Sequence, residues 1–247
     1  MTNSRRISAV RRPGARFVVS SAFSPLEVSS LLIWYRSSNV TSSGGVVDSL
    51  TDLSGSGISA TSTGTARPAL NASDAAYGGR PSLSFDGVDD TVTAAGVSYS
   101  NHTIFQVCRS AGAAGYRPFW RRQAAGNDID YCGHRVDALF VRNNALVASY
   151  KTNATNWGVT ANPITTRVEY GGTHASHLLY SNGGLVSLST GTAGDPGALA
   201  SGTFKLMSDT GTFTSGTWVE TLIYSRVLNA AESARIELYL RNRYGHY

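Results

Sequence analysis

The chain has 247 residues, long enough to bury a large core as one all-β domain. Charged residues make up only 15% and glycine, serine and threonine are abundant, which favours many short strands over a helical bundle. No run of eighteen apolar residues occurs, so no transmembrane helix is expected, and the net charge of +5 is unevenly placed.

Arg5, Arg6, Arg11, Arg12 and Arg16 all precede the first acid, Glu27. Without these five the remaining chain is balanced, so residues 1–27 read as a basic arm and not as part of a basic globular surface. Phe17-Val18-Val19 is too short for the apolar stretch of a signal peptide, and a mitochondrial transit peptide is the weaker alternative. The expectation is a chain that stays where it is made until something carries it out. The arm itself has three readings: a solvated tail, a nucleic-acid contact, or an anchor that orders on a partner surface. No nucleic-acid fold pattern accompanies it, so DNA recognition ranks last.

From residue 28 onward the pattern is that of strands. Leu31-Leu32-Ile33-Trp34-Tyr35 predicts the first buried strand, and Ser42-Ser43-Gly44-Gly45 a turn. In 80–90, Leu83 and Phe85 share one face while Ser82 and Ser84 take the other, and Asp86-Gly87 then turns the chain. Strands are expected over 102–109, 117–123, 136–142, 145–150, 165–171, 174–181, 185–189, 204–207 and 217–224. Asn143-Asn144 and Asn182-Gly183-Gly184 read as hairpin turns. One helix closes the chain: Asn229 and Glu232 form a capping box, Ile236, Tyr239, Leu240 and Arg243 recur at helical spacing, and Gly245 stops it. Its Ile236/Leu240 stripe is expected against a sheet edge or an open end. The sum is an antiparallel β-sandwich, with no repeat period that would suggest a propeller or solenoid.

Few residues propose chemistry. Cys108 and Cys132 form no metal spacing and no disulfide framework; two buried thiols is the simpler reading, and pairing stays open. The five glutamates, Glu27, Glu169, Glu220, Glu232 and Glu237, fall in no glycosidase spacing, and His102, His134, His174, His177 and His246 make no zinc-protease motif. A calcium ion would use Asp52, Asp86, Asp89 or Asp90; the favoured alternative has Asp52 and Asp86 bonding turn backbone. Tyr116, Trp120 and Trp157 lie near turns or arginines and are candidates for stacking on a sugar, with burial in the core the competing reading. Trp34 and Trp218 sit in apolar strands and are expected in the core.

Four segments, in this order, resemble the concanavalin A-like lectin/glucanase superfamily, in its laminin-G-like bacterial and phage branch. Leu31-Leu32-Ile33-Trp34-Tyr35 is similar to its opening Leu-Trp strand, and Asp52-Leu53-Ser54-Gly55-Ser56-Gly57 to its Asp-Leu-Ser-Gly-Asn-Gly loop. Arg80 to Asp90 resembles its Phe-Asp-Gly-x-Asp-Asp signature, and Trp218 to Gly245 its last strand and closing helix. The resemblance implies an all-β, concanavalin A-like jelly-roll sandwich of two antiparallel sheets with a short C-terminal helix over 28–247, binding sugars or proteins. Tyr35-Arg36-Ser37 departs from the Leu-Asp-Ala common in the family, which removes an acid that some members carry. The glucanase Glu-x-Asp-x-x-Glu strand has no counterpart.

The reading that follows is a non-catalytic virion structural protein, a capsid decoration or fibre subunit. It would be assembled in the host cytoplasm, displayed on the virion surface and docked on capsid or tail proteins through the arm. Host-surface glycan is the expected ligand, with no membrane contact and with self-association of displayed copies open. A free-standing carbohydrate-binding module is the alternative, and a degenerate glycoside hydrolase the third.

Overall fold

The computed structural model describes residues 23–245, apart from 112–115, 125–126, 136–137, 144–148, 153–161, 174, 188, 193–199 and 210. The first strands are β1 (Leu31–Arg36), β2 (Val40–Ser43), β3 (Val46–Leu50), β4 (Ala60–Thr61), β5 (Ala69–Asp74), β6 (Arg80–Asp86), β7 (Val92–Val97), β8 (His102–Ser110) and β9 (Tyr116–Ala124). They continue as β10 (Asn127–Arg135), β11 (Ala138–Asn143), β12 (Ser149–Thr152), β13 (Ile164–Tyr170), β14 (Leu178–Ser181), β15 (Gly184–Leu185), β16 (Ser189–Thr192), β17 (Gly202–Leu206) and β18 (Ser215–Tyr224). The helix α1 (Ala230–Tyr244) follows.

Among the described residues all the strand pairings are antiparallel. In the first layer β18 is central: β8 lies on one edge, while β6 and then β1 share the other. β8 passes on to β13, β14 and β15. The second layer runs β4, β7, β17, β9, β10, β11, β12 and β16. β5 and β3 carry the hydrogen bonding round from β6 to β4, so the two layers are one sheet folded over itself.

Period-two alternation explains what lies where. On β8, Ile104 and Cys108 point into the sandwich with Trp218, Val168, Trp120, Cys132 and Phe204. Phe105 and Val107 point the other way, into a second cluster with Leu222, Ile236 and Leu240. Phe85 is 2% exposed in the first of these clusters, as the alternation of β6 predicts. The turn after it needs its glycine. Gly87 has φ +82°, and a Cβ there would meet Ser215 at 2.9 Å. Asp86 accepts from the Val88 amide at 2.7 Å, the turn-backbone role expected of it. Asn182 (φ 48°) and Gly183 (φ 77°) form the expected hairpin turn between β14 and β15. Cys108 and Cys132 are both buried as free thiols.

Strands β2 to β5 and β7 are not marked by the sequence pattern, the strands expected over 174–181 and 185–189 are shorter, at Leu178–Ser181 and Gly184–Leu185, and two further departures bear on the core and the site. First, β10 is a strand that the sequence pattern does not mark. Its inward residues include Asp130 and His134, so alternation carries little apolar signal there. Arg122 of β9 meets Asp130 at 3.0 Å with both side chains unexposed, and Arg122 also donates to the Tyr99 carbonyl at 2.8 Å. Second, α1 covers the outer face of the first layer and not an edge or open end. Central strands that carry apolar residues on both faces need a cover on each, and the helix supplies the second one. The turn expected at Asn143-Asn144 lies partly outside the described residues.

Candidate functional site

The helix that covers the sheet also builds a pocket. Asn229 Oδ1 accepts from the Glu232 amide at 2.9 Å, Glu232 Oε2 accepts from the Asn229 amide at 3.0 Å, and Gly245 ends the helix at φ 67°. Ser233, Ile236, Leu240 and Tyr244 form the buried stripe. Arg235, Leu238, Tyr239, Asn242 and Arg243 fall at i, i+3, i+4, i+7 and i+8, which places them on the neighbouring face. That face forms one wall of a pocket of about 450 Å³, and Phe23 and Arg80 line it from the other side. The size lies within the ~300–1,000 Å³ of small-molecule clefts.

Each wall is held by identifiable contacts. Gly78 and Gly79, both at positive φ, turn the chain into β6 and so place Arg80 beside the helix C-terminus. Arg80 Nε donates to the Arg243 carbonyl at 2.7 Å, a cation set against the negative end of the helix dipole. Phe23 meets Tyr239 edge to face at 6.3 Å, and the Arg235 guanidinium lies 4.3 Å from the Phe23 ring centroid. Arg235 Nη2 also pairs with Glu27 at 2.8 Å.

Beneath the pocket lies Glu220, at zero exposure on β18. A bulge between Trp218 and Glu220 turns its side chain toward the helix. It accepts from Trp34 Nε1 at 2.5 Å, Tyr244 Oη at 2.5 Å and Tyr239 Oη at 2.9 Å, while Arg243 Nε lies 3.6 Å away. Burial raises the Glu220 pKa above the ordinary glutamate value, against the pull of these donors. Two pocket residues, Tyr239 and Arg243, are thus positioned from below by one carboxylate.

The residues singled out in the sequence are placed differently. Trp120 is 1% exposed and stacks on Phe204 with ring centroids 5.8 Å apart, so it is a core side chain. Tyr116 opens β9, with its backbone opposite Arg135. Trp157 and the arm residues Arg5, Arg6, Arg11, Arg12 and Arg16 lie outside the described residues. Trp34 and Trp218 are buried as expected. Asp52 accepts from the amides of Trp34 (3.0 Å), Ser54 (3.0 Å) and Gly57 (3.1 Å), which fastens its loop to β1. Asp86, Asp89 and Asp90 each offer an oxygen within 4.8 Å of the others. Burial, with Asp86 and Asp89 alongside, raises Asp90 to about 6. Their remaining contacts are to turn groups, among them the Asp86 amide donating to Asp90 at 2.8 Å.

Two glutamates do approach one another. Arg167 Nε lies 3.3 Å from Glu169, and Arg167 Nη1 lies 3.1 Å from Glu237 of α1. Burial raises both carboxyl pKa values and Arg167 opposes it, so the guanidinium between them makes this an ionic clasp from β13 to the helix.

Known structures of similar shape share the fold at low sequence identity. The binding domain of botulinum neurotoxin DC, solved in complex with SialylT, superposes with a TM-score of 0.61 at 12% identity over 88% of this chain and 52% of that one. The binding domain of Paraclostridial Mosquitocidal Protein 1 gives 0.59 at 13% over 89% and 53%. Trypanosoma rangeli sialidase gives 0.60 at 13% over 87% and 33%. The chain therefore spans about half the length of the toxin domains and a third of the sialidase. No family model and no curated protein matches it in sequence.

Proposed function

We propose that the chain is a non-catalytic glycan-binding module of the concanavalin A-like, laminin-G-like type, and that the pocket beside α1 is its binding site. The observation that carries this reading is the wall chemistry. A sugar ring offers apolar C–H faces and a rim of hydroxyls, and the pocket offers the rings of Phe23 and Tyr239 with the Asn242 amide and three arginines around them. Support comes from the fold neighbours. One is a toxin binding domain solved in complex with SialylT, and another belongs to botulinum neurotoxin type C, whose cell entry is described as dependent on two ganglioside molecules.

In the same reading the module is displayed on a virion, as a capsid decoration or fibre subunit, and the basic arm docks it on capsid or tail protein. The support is the charge map: all of the net charge of +5 lies before Phe17. Binding of the full chain to a glycan panel tests the site. Asn242→Trp, which puts an indole into the pocket from an exposed position, is expected to abolish retention with an unchanged melting temperature. Unchanged retention by Asn242→Trp would move the site elsewhere.

A further inference from the structure

We propose that the pocket is selective for an acidic sugar, one that carries a carboxylate, and that Arg80 is the residue that receives it. This rests on the glycan-binding reading and names its ligand class. Three guanidinium groups line one cavity of about 450 Å³, and the described carboxylates near them do not balance the charge. Glu27 serves Arg235 from the rim, where both side chains are about half exposed (45% and 51%). Glu220 is 3.6 Å from Arg243 and already accepts from one indole and two phenols. Arg80 has no described carboxylate within ion-pair distance. Its Nε is taken by the Arg243 carbonyl, and that contact fixes the guanidinium while its terminal nitrogens remain for a ligand. A planar fork held in this way is the geometry that receives a carboxylate through two parallel hydrogen bonds.

Arg80 is exposed, so solvent serves its charge in the free chain, and charge complementarity favours an occupant that brings negative charge. The arm of this chain does not fit, because its five arginines precede the first acid and would meet three more arginines in the pocket. A neutral sugar would use the rings and Asn242 but leave Arg80 without a counter-charge. A sugar carboxylate satisfies both halves of the wall: its ring faces Phe23 and Tyr239, and its charge faces Arg80. A terminal sialic acid and an in-chain uronic acid offer the same group.

Calorimetric titration of the full chain with 3′-sialyllactose, a glucuronic acid disaccharide, lactose and an oligoglutamate peptide tests the inference. One or both acidic sugars are expected to bind at least about tenfold more tightly than lactose or the peptide, and to weaken with added salt. Arg80→Gln is expected to remove about tenfold of that affinity or more, with Arg80→Lys intermediate and lactose binding unchanged. Binding of sialyllactose alone would assign a terminal sialic acid, and binding of both acids the carboxylate irrespective of source. Equal binding of lactose and the acidic sugars, with no effect of Arg80→Gln, would overturn the acid selectivity and leave the glycan reading standing. Equal binding of the peptide would overturn the sugar. Acidic sugars that bind Arg80→Gln and Asn242→Trp as well as the native chain would show that Arg80 does not receive the carboxylate. Binding of no sugar at all would remove both proposals.

Discussion

The sandwich interior and the seam beneath α1 each bury a carboxylate at zero exposure, and they satisfy it differently. In the interior, Asp130 faces a full opposite charge. Arg122 Nε lies 3.0 Å from it, and the same guanidinium sits 3.6 Å from the Tyr99 ring centroid. In the seam, Glu220 takes hydrogen bonds from Trp34, Tyr239 and Tyr244, and its nearest cation stands 3.6 Å off. A one-to-one ion pair concentrates the whole penalty of desolvation on a single partner, whereas three neutral donors share it. The interior is accordingly brittle and the seam tolerant, which suits a seam that also holds the wall of a binding pocket.

The largest expected effect breaks the interior pair. Arg122→Met leaves Asp130 as an unpaired buried charge and is expected to cost about 3–5 kcal/mol in denaturant unfolding. Adding Asp130→Asn should recover part of that loss. A cost below about 1 kcal/mol for the single variant would erase the contrast with the seam.

Acid sharpens the comparison, because the two regions respond with opposite sign. Burial lowers His102 and His134 to about 4, so each stays neutral in the fold and charges more readily when unfolded. Their stabilisation is complete above the unfolded value of about 6.5 and is lost as the pH falls toward 4, by about 3 kcal/mol in all for the unexposed His102. Glu220 works the other way: its raised pKa favours the fold as the pH falls and withdraws that support as the pH rises past the ordinary glutamate range. Unfolding measured from pH 7 to 4 should fall less steeply in His102→Gln and more steeply in Glu220→Gln. Parallel profiles for all three proteins would contradict the assignment.

At neutral pH, Glu220→Gln is expected to cost about 1–2 kcal/mol, because the amide keeps one acceptor for the donors and loses the other. The smallest effect is expected from removing residues 1–20. Sandwich stability should change by less than about 0.5 kcal/mol. Docking on a partner particle should be lost, and in the native chain that docking should weaken with salt, since exposed charges are screened over about 8–10 Å. Undiminished assembly of the shortened chain would remove the arm from the proposal.

What the sequence reveals follows the same division. β6 is legible because one face is apolar, β18 because it is a run apolar on both faces, and α1 because its cap is a local pattern from Asn229 to Glu232. β10 is not legible, because its inward positions Asp130 and His134 look like loop residues until Arg122 and Ser110 are seen opposite them (Ser110 Oγ lies 2.7 Å from His134 Nε2). The pocket is still less so. Phe23, Arg80 and Arg243 are scattered along the chain, and Arg80 opens a segment whose pattern speaks only for a strand and a turn. The one available signal was the second face of α1, where Arg235, Tyr239 and Arg243 recur every four residues. Trp120 misled because an aromatic flanked by arginines resembles a platform, whereas Arg121 pairs with Asp209 and Arg122 turns inward to Asp130.

The two unexposed thiols turn the fold into its own stopwatch. Cys108 lies on β8 in one layer and Cys132 on β10 in the other, and burial raises the pKa of both. Only a thiolate attacks an alkylating reagent, so neither reacts while the layers stay together. The rate at which each cysteine is labelled therefore counts opening events around its own strand. Identical rates would mean that the layers part in a single motion. Both thiols point into the same interior, so a faster Cys132 would mean that β10 frays locally while β8, held between β18 and β13, remains closed.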